Sequence, residues 1–370
     1  MKVCKRCILD ERIPGIVFDS DGVCNFCKKH DEMEKQYVIS DTVLSRKVRD
    51  IKDKNKNSRY DAIAGVSGGA DSSYLISKMH DYGLRMLGVH FDNGWNTDIA
   101  ERNIKRLEEC FDIDMLRFRM DRKEFNDLNK AFLYASTPDA DIPNDMALVA
   151  CLYMACEAFD VKTILDGHSF RTEGFMPVDW SYMDGGYVLS VHNQFGTVPA
   201  KTFPNLEFYK QLKWLRMGIE RFRGLYHIDY VKEDAMREMN SDFGWEWYGS
   251  HHGENVYTKF VGAYLRPKKF GIDPRIVELS AFVRSGQMSR DTALELFQEE
   301  LSLEKEYLER VQNELHISDN ELDVIMNLDV KSHNDYDTYH PLFRKNYDVF
   351  KRMYEKGLIA KTFFMKYVEK

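Results

Sequence analysis

The sequence predicts an α/β protein, a doubly wound parallel sheet preceded by a Cys4 zinc ribbon and followed by a helical C-terminal region. Three observations predict it. Between residues 60 and 168 short apolar runs alternate with amphipathic stretches, the pattern of strands and helices in a parallel sheet. Two CxxC pairs, Cys4/Cys7 and Cys24/Cys27, stand ahead of them, and beyond residue 275 the periodicity is helical to the end. The divisions expected are a zinc-ribbon module over 1–37, a sheet domain over 38–275 and helices over 276–370. A chain of 370 residues has room for roughly two to three domains with cores of their own.

Sixteen residues separate Cys7 from Cys24, and Pro14, Gly15 and Gly22 among them supply the turns of a ribbon. That spacing suits tetrahedral zinc, and a redox pair would need no second knuckle. With four thiolates no coordination position stays open, so the zinc is structural and does no chemistry. Residues 38–58 predict a helix with Val43, Leu44, Val48 and Ile51 on one side. From Tyr60 the period shortens. YDAIAGV, RMLGVHF, DMLRFRM and KTILDGH are expected strands. ADSSYLISKMHDYG, TDIAERNIKRLEECF, RKEFNDLNKAFLYAS and NDMALVACLYMACEAFDV are expected helices, the first ended by Gly83. Beyond 275 come IVELSAFVRSG, one helix over 289–316 capped by Ser289, and amphipathic pieces to the C-terminus.

The formal net charge is −8, from 52 Lys+Arg and 60 Asp+Glu. This balance supplies no counterion-release drive toward nucleic acid, and no nucleic-acid partner is expected. At 44% hydrophobic residues the chain is too apolar to be disordered. The first residues contain no apolar core of a signal peptide, and no stretch approaches the ~18 uninterrupted apolar residues of a membrane span. A cytoplasmic protein is expected.

The stretch carrying most information is Ala64-Gly65-Val66-Ser67-Gly68-Gly69-Ala70-Asp71-Ser72-Ser73, between the first strand and its helix. Glycines let backbone N–H groups close around an anion, the helix N-terminus adds partial positive charge, and Ser67, Ser72 and Ser73 add hydroxyls. No Lys-Ser/Thr follows as in a Walker A loop, and GxGxxG cannot be laid over it. The same doubly wound geometry puts ligand contacts after the other strands. Phe91, Asp92 and Asn93 are therefore candidates for a nucleotide's rim, and Gly167 and His168 for the phosphate side. Arg171 and Glu173 follow in a polar loop. Asp145 opens a helix, as a cap or a ligand contact. His251, His252, Glu254 and Lys259 form a polar cluster suited to a sugar-nucleotide pocket, and adjacent histidines point apart, which weakens a metal role for the pair.

SGGADSS resembles the SGGxDS signature of the PP-loop ATP pyrophosphatases, whose fold is HUP-like. FDSDGVCNFC, HFDNGWN, IPNDMAL, DGHSFRTEG, YTKF and KKFGIDPR narrow the resemblance to the N-acetyl sugar amidotransferases of bacterial surface-polysaccharide and lipopolysaccharide synthesis. The resemblance implies ATP and Mg²⁺, adenylation of an acetamido oxygen on a sugar nucleotide, and displacement of AMP by ammonia. It casts Asp71 as the magnesium-linked acid; Ser67, from the loop's hydroxyls, and His168, from its place after a strand, are the catalytic candidates beside it. It also implies a separate class I glutaminase subunit, with a cyclase-like subunit, as the ammonia source. That agrees with the cysteines: Cys4 is claimed by zinc, and Cys110, Cys151 and Cys156 lack the glycine flanks of a nucleophile elbow. Two rivals remain at this stage, a PP-loop tRNA thiolation enzyme and a non-catalytic nucleotide-binding scaffold.

Overall fold

The computed structural model describes residues 1–250, 253–356, 359 and 361–369. Its sheet has five parallel strands, β1 Ala62–Gly65, β2 Met86–Asp92, β3 Asp114–Arg119, β4 Thr163–Leu165 and β5 Glu220–Phe222, in the order β3-β2-β1-β4-β5. The chain winds outward from β1 to β3 and then returns to β4 on the other side. The crevice beyond the carboxyl ends of β1 and β4 is therefore a topological switch point. Successive side chains of β1 go to opposite faces: Ile63 enters one hydrophobic core, Ala62 and Ala64 the other.

The helices up to β4 are α1 Asn25–Gln36, α2 Asp41–Lys54, α3 Ala70–Asp81, α4 Asp98–Phe111, α5 Arg122–Ala135 and α6 Ile142–Phe159. Ser40, Thr97 and Asp121 cap α2, α4 and α5 through side-chain oxygens, satisfying amide groups left without partners in the first turn. Leu44, Val48 and Ile51 of α2 are buried, as their spacing predicts. The core on one face of the sheet includes Phe125 and Phe132 of α5 and Met146 and Cys151 of α6. On the other face Leu75 and Ile76 of α3 meet Ile104 and Leu107 of α4. Among the described residues α6 alone is long and apolar enough to cross a membrane, and it packs against β1, β2 and β4.

Four of the five strands match the apolar runs. The fifth, Glu220–Phe222, is an edge strand with two exposed charged residues, so no apolar run betrays it. The aromatic-rich middle of the chain folds as α7 Gly185–Phe195, α8 Phe208–Arg216 and α9 Lys232–Phe243, with Trp214 and Trp245 in the cores. After α10 Val256–Phe260 the chain widens into a π-helix, Val261–Phe270, that contains Pro267. Proline has no N–H for the i→i−4 ladder, which is one reason such a turn loosens.

The C-terminal helices are α11 Arg275–Arg284, α12 Arg290–Gln298, α13 Lys305–Leu315, α14 Asp319–Asn327, α15 His340–Lys345, α16 Tyr347–Glu355 and α17 Lys361–Phe364. The single helix expected over 289–316 is two. Arg275 donates to the carbonyls of Leu296 and Glu299 at the end of α12, and Glu304, ahead of α13, pairs with Lys259 at 2.9 Å. These contacts hold the chain extended between the two. Ile276, Val277 and Leu279 of α11 and Ala293 of α12 share a core with the cysteine module. Val311 and Leu315 of α13 belong to the core under α5 and α6.

Candidate functional site

The loop after β1 is held from outside. Gly68 takes a positive φ of 79°, and a Cβ there would lie 2.6 Å from the carbonyl oxygen of Ala100. Its own carbonyl accepts hydrogen bonds from Asn103 Nδ2 (3.2 Å) and Trp245 Nε1 (3.1 Å). The inner side of the loop is polar. Gly69 N donates to Ser67 Oγ at 3.1 Å, Ser67 Oγ lies 3.2 Å from Ser72 Oγ, and Ala70 N donates to the Tyr248 hydroxyl at 3.2 Å. Tyr248 thus occupies an amide at the N-terminus of α3, the kind of group that binds anions.

Asp71 stands in the first turn of α3. Its Oδ1 accepts from Thr172 Oγ1 at 3.3 Å, and its Oδ2 is 3.9 Å from Nζ of Lys232, which also reaches Glu278 at 3.1 Å. Burial works against the Lys232 charge, but Asp71 and Glu278 outweigh it and raise its pKa. Ala64 and Gly65 lie within β1. The Ser73 hydroxyl is fully buried and has no hydrogen-bond partner among the described residues.

Across the crevice the end of β4 leans on the same helix. A Cβ at Gly167 would lie 3.0 Å from Cα and N of Ser72, so glycine permits the strand end to touch the start of α3. His168 N donates to Asp166 Oδ1 at 3.2 Å, and its Nδ1 lies 2.9 Å from the Tyr226 hydroxyl. Burial, with Arg223 adding to it, holds the His168 pKa down to about 4. The imidazole is neutral near pH 7 and can act as a hydrogen-bond partner, not as a fixed cation. Asp166 is buried, which opposes its charge, yet Arg221 and Arg223 at 3.2 and 2.9 Å keep its pKa below the usual carboxylate range.

The third wall comes from the end of β2 and from residues 254–256. Thr97 N donates to the Glu254 carbonyl (2.9 Å) and Val256 N to that of Trp95 (2.8 Å), so this segment runs antiparallel to 95–97. It carries the Glu254 carboxylate to within 3.2 Å of a Cβ built at Gly69. Asn93 bonds Asn144 and accepts from Trp95 N, and His90 Nδ1 lies 2.8 Å from the Val66 carbonyl. Together these walls enclose a cleft of about 460 Å³, within the usual range for a small-molecule site.

The structure gathers Ser67, Gly69, Asp71, Ser72, Phe91, Asn93, Asp145, Gly167, His168, Glu173 and Glu254 around this one cleft. Val66 also lines it, and Gly68 braces the loop from behind. Other expected residues go elsewhere. Asp92 turns its carboxylate to Arg119 at 2.8 Å. Lys259 pairs with Glu304 and lies 4.4 Å above the Tyr307 ring. Arg171 is buried, gripping Glu34 of α1 at 2.7 and 2.8 Å and the Tyr226 carbonyl at 3.1 Å. His251 and His252 lie outside the described residues. Sequence reasoning missed Asp166, His90, Asn144, Tyr248, Arg221 and Lys232. Asp166 and Asn144 adjoin predicted residues and could have been read with them; the last three come from stretches with no strand-and-loop pattern.

At the N-terminus four sulfurs, Cys4, Cys7, Cys24 and Cys27, are buried and all within 4.8 Å of one another. Separations of 3.8, 3.7 and 3.6 Å compare with the ~3.8 Å edge of a tetrahedron whose metal–sulfur bonds are ~2.3 Å. Backbone N–H groups of Arg6 and Cys24 point at the Cys4 sulfur, and Arg290 bonds the carbonyls of Cys4 and Cys7. The donor set fits a single tetrahedral ion.

Solved structures similar to the chain include three enzymes. NMN synthetase from Francisella tularensis has a TM-score of 0.31 at 14% identity, covering 79% of this chain and 98% of that one. The NH3-dependent NAD synthetase from Campylobacter jejuni, in complex with the nitrate ion, gives 0.29 and 13%, covering 54% and 82%. The U34-tRNA thiolase NcsA from Methanococcus maripaludis, with its 4Fe-4S cluster, gives 0.32 and 12%, covering 90% of each. No curated protein matches. Residues 254–354, from Glu254 in the cleft wall to within α16, match the family described as LPS biosynthesis protein WbpG-like, C-terminal domain.

Proposed function

We propose that this chain is an ATP-dependent N-acetyl sugar amidotransferase of lipopolysaccharide or O-antigen synthesis. It adenylates the acetamido oxygen of an activated sugar and lets ammonia displace AMP, giving an acetamidino sugar with AMP and pyrophosphate. The observation that carries the reading is the placement of Ser67–Ser72 at the switch point of the sheet, with Asp71 and His168 lining the same cleft. The family matched by residues 254–354 supports the pathway.

An amide carbonyl is a poor electrophile, so it must be activated before ammonia can react. In this reading the amide oxygen attacks the α-phosphorus and pyrophosphate departs toward the amides of Gly69 and Ala70 and the hydroxyls of Ser67 and Ser72. Ammonia then adds to the imidate carbon and AMP leaves with the former amide oxygen. Neutral His168 offers a hydrogen bond to the developing charge, with its ring held by Tyr226. The carboxylates of Asp71, Asp145, Glu173 and Glu254 line the cleft, and without a cation they would repel a triphosphate. They are hard oxygen donors of the kind that hold Mg²⁺, which when bound would neutralise phosphate charge. The four cysteines are assigned to structural Zn²⁺.

The thiolation rival needs cysteines that carry sulfur. Cys151 and Cys156 are fully buried in α6, where burial pushes both thiols up to about 12, and Cys110 is a single exposed thiol. Nor does any of the three sit on a nucleophile elbow, so a separate glutaminase is proposed as the ammonia source. ATP–pyrophosphate exchange tests the reading. It should require an acetamido sugar nucleotide and ignore tRNA; exchange that depends on tRNA would refute it.

A further inference from the structure

The cleft is flanked by helices from both faces of the sheet. Helix α3, which follows the serine loop, packs on one face, and α6, which brings Asp145, Leu148 and Val149 to the cleft, packs on the other. Arg221 belongs to the α6 side. In β5 it stands beside Ile164 of β4, and residues side by side in neighbouring strands point to the same face. Ile164 lies in the core under α6. The Arg221 side chain is 38% exposed and lines the cleft.

Among the described residues two arginines and no lysine line the cleft. Arg266 is buried and taken up by Asp141 at 2.9 Å and the Pro138 carbonyl at 2.7 Å. Arg221 has Asp166 as its ion-pair partner, at 3.2 Å, but Asp166 already has Arg223 at 2.9 Å. The two arginines thus exceed their shared carboxylate by one charge. Of the two, Arg221 is the one with a surface in the cleft. When it turns to a ligand, Arg223 keeps Asp166 paired, so no buried carboxylate is left without a cation.

We propose that Arg221 binds the acceptor of the reaction, and that this acceptor carries an oxyanion of its own, on a nucleotide phosphate or a sugar carboxylate. The assignment rests on the adenylation reading given above. Displacement at phosphorus sets the attacking oxygen and the departing pyrophosphate roughly in line, on opposite sides. With pyrophosphate drawn to the N-terminus of α3, the acceptor approaches from the α6 side, where Arg221 stands. A guanidinium matches phosphate and carboxylate oxygens in both charge and donor geometry.

The test is calorimetric titration of the full chain, with and without Mg²⁺ and α,β-methylene-ATP. The probes are UDP-N-acetylglucosamine, charged on its phosphates, N-acetylneuraminic acid, charged on a sugar carboxylate, and neutral N-acetylglucosamine. At least one charged probe should bind, and the neutral sugar far more weakly. Arg221→Gln should weaken that charged probe by about tenfold, the worth of a charged hydrogen bond. Arg221→Lys should restore part of the loss, and affinity for the ATP analogue should be nearly unchanged in both variants. The probe that responds names the source of the oxyanion. Binding of neither charged probe, equal binding of the neutral sugar, or unchanged probe affinity in Arg221→Gln would overturn the proposal. So would a loss confined to the ATP analogue, which would place Arg221 on the triphosphate. The two readings fail separately. An acceptor bound through Arg221 without amidine formation would refute the amidotransferase reading alone, and amidine formation at an unchanged acceptor KM in Arg221→Gln would refute this assignment alone.

Discussion

At Asp71 the proposed chemistry and the stability of the fold are tied together. Its carboxylate lies 3.9 Å from the buried Lys232 ammonium, so removing it takes away one of the charges that stabilise that lysine. Asp71→Ala should therefore lower AMP formation by about a thousandfold and also cost about 1–3 kcal/mol in unfolding free energy. The isosteric Asp71→Asn should lose activity with a smaller loss of stability; paired activity and denaturation curves check both. Tyr248 makes an opposite prediction. Its hydroxyl accepts from Ala70 N, an amide that a phosphate oxygen bound at this helix N-terminus would also need. Tyr248→Phe should tighten ATP binding by about fivefold, the worth of one modest hydrogen bond; weaker binding would mean that the hydroxyl contacts the nucleotide instead. His168 and His30 both have pKa values lowered to about 4 by burial, below the ordinary 6.5. The unfolded chain then binds more protons than the folded one between those values, so stability falls as pH drops from about 6.5 to 4. Each histidine contributes at most ~1.4 kcal/mol per pH unit, and His168→Gln should flatten that slope in urea titrations. The residue types at the loop were legible because glycine, serine and aspartate have few reasons to occur together after a strand. Lys232, Tyr248 and Arg221 were not, because their roles exist only through contacts remote in sequence.

Elements were legible where burial on one face imposes a period. The first four strands and α2 to α6 follow their apolar positions closely, and caps such as Thr97 and Asp121 mark where helices begin. The failures have tertiary causes. Strand β5 is too short and charged to stand out, and the break between α12 and α13 depends on Arg275 taking the carbonyls of Leu296 and Glu299. The cysteine module is an element whose proposed zinc ion can be tested by removal. It shares its core with Ile276, Val277 and Ala293, so loss of the ion should loosen α11 and α12 as well. Cys4→Ser or Cys24→Ser should lose about one equivalent of zinc and reduce solubility or melting temperature. Hydrogen exchange should show faster exchange in α11; a metal-free chain that stays folded and fully active would contradict the assignment.

For the molecule as a whole, the α11 segment does more than cover the sheet. Through Glu278 and Lys232 it reaches Asp71, and through Ser285, which donates to the Arg171 carbonyl at 2.9 Å, it braces the loop after β4. Helix α13 packs on the sheet domain through Val311 and Leu315, whereas α11 is tied to the site as well. Chemistry in the cleft between these parts is open to direct assay. The most direct test incubates the purified chain with ATP, Mg²⁺ and an acetamido sugar nucleotide, supplied with either ammonium at alkaline pH or glutamine, and follows nucleotide and sugar products by mass spectrometry. With ammonium, amidine and AMP should form in equal amounts, and with glutamine alone none should form. Release of ADP in place of AMP, or an unmodified acetamido sugar under all conditions, would contradict the account.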